Sequence, residues 1–360
     1  MVLHRDMLSR HPAPSSTPIQ RRTLWYNDLM QRLASSAPWA PVGYGLALVL
    51  SGVACVRAWR PERSTVDVAV TAATPWLLAP SWALLAGALA SRRRRLVLLA
   101  SALAVYHAIC IRPQSRPVGD RGELAEGPVV RVAFANLLYG NRNVRGILSE
   151  LAAGEHDIVG LAEVTEAHSI EIDAIFPTAD YPWRWCVPGG PQGLALVSRA
   201  PLDEVSKWTS QGHPQLEVTV HAPGSLPFRL LVIHTWGPVG RRKIGSWRAQ
   251  LAEIAERAKR ASTSGDNSPV VMVGDFNATR QHRSFDRLVG TGWSDAGALC
   301  FGGWRGTWPA NRWWRPPLFR IDHIVTGPGI SVRTSRAGRA RGSDHRPVTA
   351  VLTLPAASRD

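Results

Sequence analysis

Lysine is almost missing from this chain. Of 42 basic residues, only Lys207, Lys243 and Lys259 are lysine and the other 39 are arginine. With no lysine-rich stripe and no ladder of stacking aromatics, the sequence lacks the usual groove for a nucleic-acid strand. Cysteine is scarce too: four residues, with no CxxC and no zinc-ligand spacing. That excludes a structural zinc site read from cysteines. Cys55 and Cys110 fall in apolar stretches and read as small buried hydrophobes. Cys186 and Cys300 pair only if their domain is outside the cell and the fold brings them together. No Walker loop, Rossmann fingerprint or serine elbow is present, which excludes those routes to nucleotide binding and acyl transfer. Internal repeats and low-complexity tracts are absent as well.

What remains is a globular composition with long apolar runs: 45% hydrophobic, 19% charged and 15 Trp in 360 residues. The formal charge is +15, with 15 Arg against 7 acids before residue 128 and 27 basic against 20 acidic residues after it. Such an excess suits nucleic acid, anionic lipid or a phosphorylated substrate. The arginine bias itself owes something to GC-rich codons.

No charge occurs from Leu33 to Val56, and a second apolar stretch runs from Val68 to Ala90. After the "RRRR" run at 92–95, a third stretch continues to Ile111. A span of ~30 Å of hydrocarbon needs about 20 apolar residues, which the first two supply and the third reaches with its flanks. Pro75 and Pro80 would kink a soluble helix but are tolerated in a membrane helix. Trp39, Trp76 and Trp82 sit where interface anchors belong. Three transmembrane helices at 37–112 are therefore expected, after a polar arm at 1–36. The arm is too long for a cleaved signal peptide. Placing the arm and the arginine run in the cytoplasm puts nine arginines inside and three (Arg57, Arg60, Arg63) outside. A linker at 113–127 then leads to an extracytoplasmic domain at 128–360.

Within that domain apolar strands are expected at 129–138, 157–163, 193–198, 216–221, 228–234, 270–275, 320–326 and 347–354. Helical periodicity appears at 143–153, 244–260 and 283–289. This mixture makes one α/β domain. Six of its strands end in residues able to bind metal or phosphate. They deliver Asn136, Glu163, His234, Asp275 with Asn277, Asp322 with His323, and Asp344 with His345. Any one of these is ordinarily a turn residue or a helix cap. Six together, each breaking an apolar run, point to a site.

The chemistry is shared. Glu163 and Asp344 are hard oxygen ligands suited to Mg²⁺ or Mn²⁺. Asp275 can take a proton from an attacking water that Asn277 orients. His234 and His345 can donate to charge developing on phosphorus, with Asp322 orienting one ring. The pattern reads as metal-assisted phosphoester hydrolysis.

"GDFNAT" at 274–279, "RIDHIV" at 320–325 and "GSDHRPV" at 342–348 occur in that order, with Asn136, the "LAEVT" glutamate and the "HTW" histidine upstream. Together they resemble the endonuclease/exonuclease/phosphatase superfamily over about residues 128–355. The resemblance implies a four-layer α/β/β/α sandwich preceded here by three transmembrane helices. It implies Asn136, Glu163 and Asp344 on the metal, Asp275 and Asn277 on the water, and Asp322 orienting His345. His234 would contact the scissile phosphate.

The spans, "ANLLYGN", "SWRAQLAEIA" and "TWPA" resemble the membrane-anchored bacterial subgroup, YafD-like and VanJ-like, which is linked to teicoplanin resistance. By that likeness the substrate is a phosphorylated membrane lipid such as undecaprenyl pyrophosphate. A membrane-tethered nuclease and a phospholipase C-like phosphodiesterase are the alternatives. A catalytically dead scaffold would have no use for the intact polar set. "GDFNATRQHRS" places Arg280, His282 and Arg283 near the site, either as phosphate contacts or as a solvated helix start. The Trp- and Arg-rich stretch at 301–319 either lies at lipid headgroups or packs over a sheet edge.

Overall fold

The computed structural model describes residues 39–112, 127–263, 268–290, 292–299, 306–311, 314 and 316–357. The expected polar arm, most of the expected linker, and Cys300 lie outside them. Contacts divide the chain into two compact units, Met1–Ser51 with Ala79–Val105, and Gly52–Leu78 with Tyr106–Asp360.

The apolar N-terminal region forms α1 (Trp39–Trp59), α2 (Thr65–Ala72), α3 (Thr74–Leu77), α4 (Pro80–Ala90) and α5 (Arg94–Ile111). Helices α1 and α5 are long and apolar enough to cross a membrane. Leu48, Val49, Leu98 and Val105 are exposed on them, as expected of helices apolar on all sides. Between α1 and α5, the stretch at 68–90 expected as one span is interrupted, and it makes a third span only if its two halves cross together. It is a broken pair bent by 66°. Pro75 and Pro80 each sit in the first turn of a new short helix, where a missing N–H costs nothing. Inside one continuous helix each ring would remove a hydrogen bond and clash with the preceding turn.

The second unit carries two six-stranded sheets. One has the order β11 (Ser331–Ala337), β12 (Val348–Thr353), β1 (Val129–Asn136), β2 (Ile158–Ala162), β4 (Leu194–Ser198), β3 (Trp183–Val187). The other has β5 (Leu202–Ser210), β6 (His213–Val220), β7 (Phe228–His234), β8 (Val270–Asp275), β10 (Asp322–Thr326), β9 (Ser294–Asp295). Alternation along β1 explains the layers. Val130, Val132 and Phe134 meet Leu230, Val232, Val271 and Val273 in the core between the sheets. Ala133 and Ala135 face the opposite way, against α6 (Val144–Ala153) and α7 (Glu166–Ile175).

On the far side Leu231, Ile233 and Met272 pack against Ile244, Trp247, Leu251 and Ile254 of α8 (Arg241–Thr263) and Phe285 of α9 (Arg283–Leu288). The result is a sandwich of two sheets with helices on both outer faces. Strands β3, β5, β9 and β11 and helix α7 add to the elements expected from the sequence.

Two parallel pairs set the position of the site. Strands β1 and β2 run parallel with Asn136 opposite Ala162, and β7 and β8 run parallel with His234 opposite Asp275. Asp322 opens β10 directly opposite Asp275. Gly274 permits this close pairing, because a Cβ there would lie 2.2 Å from the Ile233 carbonyl oxygen.

Candidate active site

Just past their strands, Leu138, Glu163 and Asn277 adopt left-handed φ angles of 59°, 57° and 47°. Left-handed backbone costs a non-glycine residue about 1–2 kcal/mol, so each must be held by its neighbours. The Leu138 N–H donates to Asn136 Oδ1 at 3.0 Å, and the Asn277 N–H donates to Asp275 Oδ1 at 2.8 Å. Glu163 receives Asn136 Nδ2 at 2.9 Å and the Tyr139 N–H at 3.1 Å. The strain thus aims a carboxylate and an amide inward.

All eight residues singled out by sequence meet here. Asn136 Nδ2 also donates to Asp275 Oδ2, at 3.1 Å. His234 Nε2 lies 3.9 Å from Glu163 Oε1 and 3.9 Å from Asp275 Oδ2. His345 Nε2 lies 3.8 Å from Asp275 Oδ2 and 3.9 Å from Asp344 Oδ1. Those four separations exceed a hydrogen bond and leave room for something between the groups. On its other side His345 donates from Nδ1 to Asp322, at 2.9 and 3.1 Å from the two oxygens. Asn277 donates from Nδ2 to the Thr235 carbonyl at 3.0 Å, fixing the loop against β7.

Burial decides the charges. Asp275 is 1% exposed. Burial pushes its pKa up to about 7, against the opposing pull of His345. Burial alone would lower His345, but the Asp322 and Asp275 carboxylates outweigh it and push the imidazolium up to about 10. Burial, with His213 and His345 nearby, takes His234 down to about 3, so its ring is neutral. Its Nδ1 has no hydrogen-bond partner among the described residues.

The donor set fits a hard divalent cation. Among the described residues, Asp275, Asp322 and His345 bring ligand atoms within 4.8 Å of one another. Both Asp322 oxygens are turned to His345 Nδ1, however, so this trio is better described as a histidine held between carboxylates. Glu163 and Asp344 are the more open carboxylates, with side chains 15% and 25% exposed. Asn136 turns its N–H groups toward the carboxylates, so ligation through its oxygen would require the amide to flip and release Leu138.

Several supporting residues escaped the sequence reading. The Trp308 indole donates to Asp344 Oδ2 at 3.0 Å, and Ser343 Oγ donates to the Asn136 carbonyl and accepts the His345 N–H, both at 2.9 Å. Thr307 Oγ1 accepts the Ile321 and Asp322 N–H groups. Gln215 holds His234 by both its N–H and its carbonyl. Trp308 and Ser343 lie within "TWPA" and "GSDH", which is the signal that could have found them; Gln215 has none.

His323, beside Asp322, is structural. It donates from Nε2 to the Ala278 carbonyl at 2.8 Å and faces Asp295 Oδ2 at 3.1 Å, while Arg320 Nη2 donates to Asp295 Oδ1 at 3.0 Å. Burial would raise Asp295, but Arg320 and His323 hold it well below its ordinary 3.8. Its stabilising contribution is therefore complete above that value and is lost as the pH falls below it. Asp295→Asn strands two buried partners and is expected to cost about 3–5 kcal/mol, read as a lowered unfolding midpoint at neutral pH. The cost should shrink on acidification below 3.8.

Of the residues following Asn277, His282 accepts the Thr279 N–H at Nδ1 and donates to the Val68 carbonyl at 3.1 Å. The Arg283 N–H donates to Glu62 at 2.7 Å. Both therefore serve the start of α9.

Carboxylates and histidines thus gather at the ends of the parallel strands of the two facing sheets. Residues 133–345 match the Endonuclease/Exonuclease/phosphatase family, and the chain belongs to it. No curated protein sequence matches the chain. Among solved structures, TDP2 from C. elegans is similar at 18% identity and a TM-score of 0.53, covering 77% of this chain and 92% of that one. D. rerio TDP2 complexed with single strand DNA product is similar at 16% identity and a TM-score of 0.53, covering 63% and 99%. An endonuclease/exonuclease/phosphatase from Beutenbergia cavernae DSM 12333 is similar at 17% and 0.50, covering 63% and 72%. At these identities the likeness concerns the fold.

Proposed function

We propose that the chain is a membrane-anchored, Mg²⁺- or Mn²⁺-dependent hydrolase of a phosphorylated membrane lipid, of the class of undecaprenyl pyrophosphate. The observation that carries the chemistry is His345, fixed by Asp322 and facing Asp275 and Asp344 across gaps of 3.8 and 3.9 Å. The apolar helices α1 and α5 in the same chain support the membrane lipid.

Glu163 and Asp344 would hold the ion, with Asn136 fixing Glu163 through its Nδ2. Bound there, it supplies Lewis-acid stabilisation of charge on the phosphate oxygens. Asp275 takes the proton of the attacking water, and burial makes it basic enough to do so. Asn277 keeps the Asp275 carboxylate in place through its N–H. His345, held cationic, donates from Nε2 to the charge building on phosphorus. Neutral His234 donates from the opposite side of Asp275. The arginine distribution supports a cytoplasmic N-terminus and an extracytoplasmic catalytic domain, as in the YafD-like and VanJ-like subgroup.

Glu163→Gln removes a hard ligand while keeping its shape. The Mg²⁺ concentration for half-maximal activity should rise at least about 10–100-fold, measured by titrating activity with metal.

The substrate class is tested by offering undecaprenyl pyrophosphate in micelles and, separately, supercoiled plasmid. Phosphate release from the lipid with intact plasmid supports the reading. Nicked plasmid with untouched lipid, weakening steeply with salt, makes the chain a tethered nuclease instead.

A further inference from the structure

A cleft opens between two parts of the same compact unit. One wall is the juxtamembrane segment, with Pro75, Trp76 and Ile111. The other is the loop after Asn277 and the approach to β10, with Arg280, Leu318, Phe319 and Arg320. Its volume is about 60 Å³, room for a short length of chain and no more.

The apolar wall is fastened to the catalytic loops by polar bonds. Glu62, 2% exposed, accepts the Arg283 N–H at 2.7 Å and the Ser284 hydroxyl at 3.2 Å. His282 donates to the Val68 carbonyl, and Gln281 Nε2 donates to the Cys110 carbonyl at 3.0 Å. Val68 itself joins the core formed by Trp247, Phe276 and Phe285. A loop that begins at Asp275 thus ends bonded to Glu62, Val68 and Cys110 of the N-terminal apolar region.

The two ends of the cleft differ in chemistry. Toward the membrane segment it is aliphatic and aromatic. Toward the catalytic loop it carries Arg280 and Arg320; Arg320 is 8% exposed, its Nη2 is held by Asp295, and its Nε has no acceptor among the described residues. Burial, with Arg320 close by, lowers the pKa of Arg280. From this end a chain of side-chain contacts leads to the site. Phe319 stacks on Trp308 at 6.3 Å between centroids, and the Trp308 indole holds Asp344.

We infer that this cleft is the subsite for the first carbons of the substrate's apolar chain, with Arg280 and Arg320 at its phosphate end. The inference rests on the lipid-phosphate reading above and adds to it how the chain end is recognised. It makes the broken helix pair part of the binding site as well as an anchor. The remainder of a long chain would lie along apolar surface outside the cleft.

The test uses the full chain in micelles with undecaprenyl pyrophosphate and, separately, inorganic pyrophosphate, which offers the phosphates with no apolar chain. Ile111→Trp fills the cleft and Leu318→Ser removes apolar wall, and thermal melts establish that each variant is folded. A single methylene in an apolar pocket is worth about 10-fold or more, so KM for the lipid should rise at least that much in Ile111→Trp. Its kcat should hold, and kcat/KM for inorganic pyrophosphate should stay within about twofold, since that substrate has no chain to enter the cleft and the reacting groups are untouched. Unchanged KM for the lipid in both folded variants would overturn the subsite and leave the hydrolase reading intact. So would a parallel fall of kcat on both substrates, the sign of a structural role. A wild-type chain that turns over neither pyrophosphate would instead overturn the lipid-phosphate reading, and the subsite with it.

Discussion

Asp275→Asn is expected to lower kcat by about 10²–10⁴-fold, the range a positioned general base contributes. The variant keeps the shape of the side chain. Its amide can still accept the Asn277 N–H that Asp275 accepts at 2.8 Å, so the loop should stay in place. What it cannot do is take a proton from water. The carboxylate sits at the end of β8, almost fully buried, opposite both His234 and Asp322 in the sheet register. Metal affinity should change less than in Glu163→Gln, because Glu163 and Asp344 are untouched. Single-turnover kinetics at saturating Mg²⁺ separate the two effects. A variant that kept most of its wild-type rate would remove Asp275 from the role of base.

His345→Gln is expected to cost about 10²–10³-fold in kcat, as loss of a preorganised donor to developing charge does. Three carboxylates surround the ring: Asp322 on Nδ1, and Asp275 and Asp344 beyond Nε2. They keep the imidazolium charged, so it arrives as a donor without waiting for a proton. Asp322→Asn leaves the ring in place with a weaker partner and should fall between wild type and His345→Gln. If Asp322→Asn were as fast as wild type while His345→Gln was inactive, Asp322 would not be positioning the ring.

Much of this site was legible because strands have a strict period of two. A polar residue that ends an apolar run is conspicuous, and Asn136, His234 and Asp275 were conspicuous in that way. Their convergence follows from the parallel pairing of β1 with β2 and of β7 with β8, which the sequence does not display. Residues that act through backbone atoms were harder to see. Gln215 grips His234 from the middle of β6, where a lone glutamine looks like any half-buried strand residue.

The break at Pro75 and Pro80 was underestimated for a related reason. Composition shows that a stretch is apolar enough to span, but two prolines decide whether it stays one helix. The short edge strands β3 and β9 lacked enough apolar alternation to stand out. His282 and Arg283 were ambiguous because their partners, Val68 and Glu62, lie more than 200 residues away in the chain.

The most direct measurement is phosphate release from undecaprenyl pyrophosphate by the full chain in detergent, with Mg²⁺ or with EDTA. Asp275→Asn serves as the control for contaminating phosphatase. The account predicts release that requires the metal and disappears in the variant. Release that persisted in EDTA, or that Asp275→Asn supported as well as the wild type, would contradict it.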